Sequence, residues 1–138
     1  MNDVAYSIRP IGFIRSVLTD PETAPRQGSE GAPDAWIELT DRAAPGLLGM
    51  KVGDALLVLT WLHLSDRDVL QVIPRGEPTK PLTGVFATRS PDRPNPIGLH
   101  RVKVLAVEDK RLRVTPMEAI DGTPVADIKC VLKSVDER

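Results

Sequence analysis

Hydrophobic and polar residues alternate in several short runs along the chain, which is the pattern of β-strands with one buried face. The longest alternation covers Ile97–Glu108 and places Val102, Val104 and Ala106 on one predicted face. A two-residue turn follows, and the apolar positions of 112–115 allow a second strand to pair back. This pattern predicts an antiparallel β-hairpin in the last third of the chain.

The most apolar run of the sequence covers residues 52–64. Its β-branched and aromatic residues favour a buried central strand that starts near Ala55. A short helical turn is expected within 41–48, with Gly49 at its end. Further strands are predicted at 6–17, where Pro10 and Gly12 break the run, and at 35–39, 68–73, 82–88 and 125–132.

Thirteen prolines and ten glycines interrupt the chain and disfavour long helices. The strands lack clear crossover helices, and no GxGxxG sequence follows any of them, which argues against a Rossmann-type sheet. The sequence therefore predicts a mainly β protein. We expect a single small β-barrel with long Pro- and Gly-rich loops and one or two short helices, formed by residues 1–138 as one domain.

Composition limits the ways in which the protein could bind nucleic acid and the compartments in which it could work. Hydrophobic residues make up 41% and charged residues 27% of the chain, and the formal net charge is -1. A protein held to nucleic acid by bulk charge would be clearly basic, so any RNA-binding cations must be concentrated on one face. Cys130 is the one cysteine, and the sequence has neither an apolar leader nor a membrane-length apolar run. We therefore expect a cytoplasmic protein without disulfide, metal site or membrane contact.

Residues 84–98, GVFATRSPDRPNPIG, form the most informative motif. Three prolines within six residues hold this segment stiff and extended. Arg89 and Arg93 extend from that frame, and two guanidinium groups on a rigid loop suit a carboxylate or phosphate ligand. A proline-rich surface loop with incidental arginines is the alternative interpretation.

Two weaker motifs accompany it. The segment 121–129, DGTPVADIK, also fits a simple turn entering a strand, and 25–27, PRQ, lies in a loop. Together with IGFIRS at 11–16, these motifs occur in an order that resembles the TrmO (TsaA-like) family of tRNA adenine-N6 methyltransferases. The resemblance covers nearly the whole chain and is to a short form without the C-terminal domain.

The resemblance implies a homodimeric β-barrel that uses S-adenosylmethionine (SAM) to methylate N6 of a threonylcarbamoyl-adenosine beside the tRNA anticodon. Nine positions correspond to the family's SAM pocket: Pro25, Arg26, Gln27, His63, Leu64, Arg89, Leu99, Met117 and Glu118. Four basic side chains are the expected contacts with the tRNA anticodon loop: Arg89, Arg93, Arg101 and Lys129.

The chemistry of these side chains is consistent with such a ligand. Arg26 or Arg89 can pair with the carboxylate of SAM, whereas a lone His63 at a strand end is equally consistent with a structural role. Methyl transfer is mainly a positioning problem, and the sequence identifies no catalytic base. Asp121 and Asp127 are candidates for accepting the N6 proton, although Asp121 could instead cap its turn.

Three other functions stay open at this point. The first is a methyltransferase of the same fold that acts on a small molecule, which the shortened chain and near-neutral charge favour. The second is a SAM-binding regulator without catalysis, and the third is a β-barrel scaffold with proline-stiffened loops.

Overall fold

A computed structural model describes residues 3–136 of the chain. The strands are β1 (Gly12–Arg15), β2 (Ala35–Leu39), β3 (Ala55–Trp61), β4 (Gln71–Val72), β5 (Thr83–Gly84), β6 (Ile97–Glu108), β7 (Arg111–Thr115) and β8 (Pro124–Cys130). Lys133–Asp136 form the helix α1, and four 3-10 turns lie at Gly28–Glu30, Ala44–Leu47, Pro74–Gly76 and Val85–Ala87. The mainly β fold class is confirmed.

Six of these strands close into an antiparallel barrel in the order β1-β2-β7-β6-β3-β8, while β4 and β5 pair separately. Alternate side chains of each barrel strand point inward, as the sequence pattern requires. The buried core combines strand residues with three residues from the connections, and it consists of Ile14, Ala35, Ile37, Leu47, Leu56, Val58, Val102, Val104, Leu112, Val114, Met117, Ala119 and Val125.

The strongest periodic signals gave correct strands. Ile97–Glu108 and Ala35–Leu39 have the predicted bounds, and the apolar run forms Ala55–Trp61 with the expected start. Ala106 is a partial exception. A register shift between β6 and β7 falls between Val104 and Ala106, so Ala106 is half-buried where Val104 is fully buried.

Other predicted strands were too long. The run 6–17 contains a strand at Gly12–Arg15, and the runs 68–73 and 82–88 retain the two-residue strands β4 and β5. Val85–Ala87 form a 3-10 helix, and residues 6–11 and 68–70 do not form strands. None of the helices formed by residues 3–136 has the length and apolar character needed to span a bilayer.

Truncation of a barrel residue tests the assignment of the core. Leu112 is fully buried on β7, so Leu112→Ala is expected to lower the free energy of unfolding by about 2–5 kcal/mol. Leu48, at 96% exposure, is the matched control, and Leu48→Ala should change it by less than about 0.5 kcal/mol. Urea denaturation of both variants makes the measurement, and equal losses would contradict this core.

Candidate functional site

The motif loop between β5 and β6 is attached to the turn that follows β3. The Asp66 N–H donates to Asp92 Oδ1 at 2.8 Å, and the Arg93 N–H donates to the Asp66 carbonyl at 3.0 Å. Arg67 adds bonds to the Pro94 carbonyl at 2.7 Å and to Asn95 Oδ1 at 3.1 Å. The prolines stiffen the loop, and these bonds determine where it lies.

The two arginines of the motif have different environments. Arg93 turns inward, and its guanidinium donates to the main-chain carbonyls of Val85 and Thr88. Its donors are therefore engaged in holding the loop, which argues against the predicted RNA contact. Arg89 is exposed and has no hydrogen-bond or ion-pair partner within residues 3–136, so its guanidinium is available to a ligand.

A line of buried polar side chains crosses the barrel from β3 to the segment after β7. Thr60 Oγ1 lies 2.7 Å from His100 Nε2, and His100 Nδ1 is hydrogen-bonded to Glu118 Oε1. Thr60 is fully buried, His100 is 5% exposed, and the Glu118 side chain is 12% exposed. Glu118 thus connects the interior of the barrel to its surface.

At that surface lies an open groove of about 950 Å³ along β6. Three of the predicted SAM-binding residues border it, namely Gln27, Leu99 and Glu118. The loop that contains Gln27, between β1 and β2, packs closely against Pro116 and Glu118. A Cβ added to Gly28 in this loop would lie 2.9 Å from Pro116 Cγ and 3.2 Å from Glu118 Oε2. The basic residues that line the groove are Arg101, Lys103 and Lys133.

The main chain of β6 is open toward this groove at Leu99. The Pro96 carbonyl accepts from Leu62 N–H at 2.7 Å, and the Val104 N–H donates to the Asp54 carbonyl at 2.9 Å. Main-chain groups of antiparallel strands alternate between the two neighbours, so the even-numbered residues of β6 face β3. The main-chain N–H and carbonyl of Leu99 therefore point away from β3, toward the side of β7. Because β7 ends before it reaches Leu99, these two groups have no main-chain partner among the described residues.

The remaining predicted cofactor residues lie outside the groove lining. Met117 is fully buried in the core, and its N–H donates to the Pro33 carbonyl at 2.9 Å, so its side chain does not line the groove. His63 and Leu64 are exposed in the turn after β3. Pro25 and Arg26 lead directly into Gln27, with Arg26 exposed.

The two candidate bases also lie elsewhere. Asp121 Oδ1 accepts from the Ser16 N–H at 3.0 Å, a structural contact that joins the turn at Asp121 to the segment after β1. Asp127 accepts from the Ile128 N–H at 2.9 Å and faces Lys129 Nζ at 3.5 Å. Neither carboxylate borders the groove, and Lys129, predicted to bind RNA, is engaged in this ion pair. No cluster of His, Cys, Asp and Glu suited to a metal ion occurs in residues 3–136.

Sequence reasoning missed His100 and Thr60, which the structure places at the base of the site. A usable signal was present for His100. The alternation of β6 puts His100 between Gly98 and Val102 on the inward face, and a buried histidine requires polar partners.

An ion pair links the Gln27 loop to the loop before β5. Arg75 Nη1 lies 2.6 Å from Glu30 Oε1, and this hydrogen bond is the main reason why the pKa of the Glu30 carboxyl lies below its usual value. Hydrogen bonds with the main chain of Arg26 and Gln27 lower that pKa further. The Glu30 carboxylate therefore joins the loop that contains Gln27 to the loop between β4 and β5.

This pairing predicts a pH-dependent loop. A lowered pKa means that the pair is complete above the ordinary glutamate value of about 4.3 and is lost as the pH falls through the lower folded value. NMR order parameters of residues 26–30 should therefore fall as the pH is lowered through the folded pKa of Glu30, and Glu30→Gln should give low values throughout. Glu22→Gln, in the same loop, should behave as wild type. Unchanged order parameters in the wild-type protein would contradict the link.

The chain is similar to known proteins over nearly its whole length. The model of the tRNA-methyltransferase O N-terminal domain matches residues 13–137. A probable S-adenosyl-L-methionine-binding protein of Methanothermobacter thermautotrophicus is 40% identical over 136 residues, covering 99% of this chain and 97% of that protein. An S-adenosyl-L-methionine-binding protein of Archaeoglobus fulgidus is 42% identical over 129 residues, covering 94% and 91%.

Solved structures extend this similarity to the whole described fold. The crystal structure of TrmO from Pseudomonas aeruginosa superposes with a TM-score of 0.79 at 30% identity. The match covers 98% of this chain and 60% of that one, so the chain spans about three-fifths of the solved protein's length. By its sequence match and its barrel, the chain belongs to the family of the tRNA-methyltransferase O N-terminal domain.

Proposed function

We propose that the protein is a SAM-dependent methyltransferase that acts on tRNA and methylates N6 of a threonylcarbamoyl-adenosine beside the anticodon. One observation carries the proposal. A chain of this family has a groove of about 950 Å³ in which an open main-chain edge at Leu99 lies near the carboxylate of Glu118. Relatives named as SAM-binding proteins support the choice of cofactor.

The groove has the chemistry that SAM requires. An N–H and a carbonyl at Leu99 match the donor and acceptor edge of an adenine base. Glu118 can accept from hydroxyl or amino groups, and Gln27 can both donate and accept. Arg89 does not line the groove, and we include it because the family resemblance assigns it to the cofactor and its exposed guanidinium suits the amino-acid carboxylate. Leu99, Glu118, Gln27 and Arg89 are therefore the residues that we expect to hold the cofactor.

The reaction makes limited chemical demands on the protein. SAM, when bound, supplies a methyl group on a sulfonium that is an excellent leaving group. Methyl transfer would join N6 to the methyl carbon and leave the sulfur as a neutral thioether, and the N6 proton would pass to a base or to water. What the chain's residues must provide is an aligned approach of N6 to the methyl carbon, which is worth several orders of magnitude in rate.

RNA binding is expected on the side of the groove that carries Arg101, Lys103 and Lys133. These three cations border the same groove in a chain whose net charge is -1. Each phosphate contact should contribute a salt-dependent share of the affinity. An affinity for tRNA that does not change with salt would contradict this placement.

The proposal includes a homodimer. The outer faces of β3 and β6 bring Leu59 next to Leu99 and Trp61 next to Ile97, and Ile97 and Leu99 are 45% and 42% exposed. An apolar patch of this kind supports contact with a second copy. A monomeric mass in solution, measured by light scattering, would contradict it.

Mass spectrometry of tRNA nucleosides tests the function directly. Cells that lack the protein should lose the methyl mark on threonylcarbamoyl-adenosine, and cells with the gene restored should regain it. An unchanged nucleoside profile together with intact SAM binding would instead favour a small-molecule methyltransferase or a SAM-binding regulator. Calorimetric titration of the purified protein with SAM supplies the second measurement.

A further inference from the structure

We infer that His100 is a positioning residue that orients the Glu118 carboxylate, so that one oxygen of Glu118 faces the groove as an acceptor for the bound cofactor. This inference rests on the proposed SAM site. It extends that site inward to Thr60, which holds the far side of the His100 ring at 2.7 Å.

The two carboxylate oxygens of Glu118 have different partners. Oε1 accepts from His100 Nδ1, whereas Oε2 has no hydrogen-bond partner within residues 3–136. No buried side-chain oxygen or nitrogen in that part of the chain lacks a partner, so Oε2 must be accessible to solvent. Glu118 lines the groove, which places this available acceptor at its wall.

The arrangement of hydrogen bonds determines the protonation of the ring. An ionised Glu118 can only accept, so Nδ1 must carry a proton and donate to it. A ring with one proton then has its lone pair on Nε2, which accepts from the Thr60 hydroxyl. Thr60 therefore favours the tautomer that Glu118 needs, although no contact joins Thr60 to Glu118 among the described residues.

Glycines at both ends leave room for this line of side chains. A Cβ on Gly98 would lie 2.8 Å from His100 Nε2 and closer still to Thr60 Oγ1. At the other end, a Cβ on Gly28 would lie 3.2 Å from Glu118 Oε2. The pairing of β3 with β8 contains a bulge between Leu59 and Thr60, next to the Thr60 end of this line of side chains.

A buried polar network could instead serve stability alone, so the test must separate ligand binding from folding. Thr60→Ser and Thr60→Ala form the matched pair, since both lose the methyl group and Thr60→Ala also loses the hydroxyl. We expect Thr60→Ala to bind SAM about fivefold more weakly than Thr60→Ser, the usual size of one hydrogen bond's effect. Melting temperatures of both variants show whether each is folded.

A second pair of variants shows whether Thr60 acts through Glu118. In the Glu118→Gln background the acceptor charge is gone, and the ratio of the SAM dissociation constants of Thr60→Ala and Thr60→Ser should fall to about one. Equal dissociation constants in the original background would overturn the inference. So would a fivefold ratio that persists beside Glu118→Gln.

Nitrogen NMR of the His100 ring gives a measurement that needs no cofactor. At neutral pH the wild-type ring should be protonated at Nδ1. A ring protonated at Nε2 alone would overturn the inference whether or not SAM binds. A wild-type protein with no measurable SAM binding but the expected ring signal would overturn the proposed function instead.

Discussion

Gly98→Ala is expected to unfold or strongly destabilise the barrel and to abolish SAM binding. Gly98 lies at the start of β6 opposite Thr60, with its own backbone buried. An added Cβ would overlap Thr60 Oγ1, and it would lie 2.8 Å from His100 Nε2 and 3.2 Å from Leu62 Cδ2. Because β3 and β6 are joined by continuous pairing, neither strand can retreat without breaking the barrel.

Overpacking of this kind costs about 1–3 kcal/mol or more. Displacement of Thr60 or His100 would also release Glu118, so any folded fraction should bind SAM poorly. Gly84→Ala is the control within the same motif, because its Cβ meets nothing within 4 Å and its φ of -62° suits alanine. Urea denaturation and SAM titration measure both variants. Wild-type stability and affinity in Gly98→Ala would show that the packing around Gly98 is looser than described.

The barrel strands with strict alternation could be predicted because burial on one face dictates every second residue. Ile97–Glu108 is the clearest case, since its inward residues Val102 and Val104 are buried and its outward residues Arg101 and Lys103 are charged and exposed. The short strands β4 and β5 lack such a pattern. Their extent depends on pairing with one another outside the barrel, which no local signal specifies.

The sequence motifs predicted a ligand site, but they did not predict the directions of its side chains. The stiff segment 84–98 indicated a ligand loop, yet its sequence does not distinguish the inward Arg93 from the exposed Arg89. That difference depends on the carbonyls of Val85 and Thr88, which become acceptors only when the 3-10 turn forms. Tertiary contacts decide the orientation of loop side chains, and spacing along the chain does not reveal it.

The orientations of Met117 and His100, in the interior of the protein, could not be predicted from the sequence either. Both lie close to the groove, but Met117 turns wholly into the core, and His100 forms polar contacts with Thr60 and Glu118, 40 and 18 residues away in sequence. Contacts at such separations follow from barrel closure. The resemblance to a family identified Glu118, and the structure supplied the reason why its carboxylate is held in place.

Arg89→Ala is expected to lose SAM binding and keep its stability, whereas Arg93→Ala is expected to lose stability. Arg89 is exposed without a partner in residues 3–136, so its truncation should change the free energy of unfolding by less than about 0.5 kcal/mol. The same change removes the guanidinium proposed to hold the SAM carboxylate, and the rise in melting temperature that SAM produces should disappear. Loss of a charge-assisted contact of this kind costs more than a neutral hydrogen bond.

Arg93→Ala should instead lower the free energy of unfolding by about 1–3 kcal/mol, because it removes the guanidinium that joins the carbonyls of Val85 and Thr88. The Val85 carbonyl keeps its bonds from Thr88, whereas the Thr88 carbonyl has no other donor among residues 3–136. Thermal melts of both variants with and without SAM distinguish the two effects. A wild-type SAM shift in Arg89→Ala would remove Arg89 from the cofactor site. Unchanged stability in Arg93→Ala would show that its bonds do not hold the loop, and Arg93 would again be a candidate for contact with RNA.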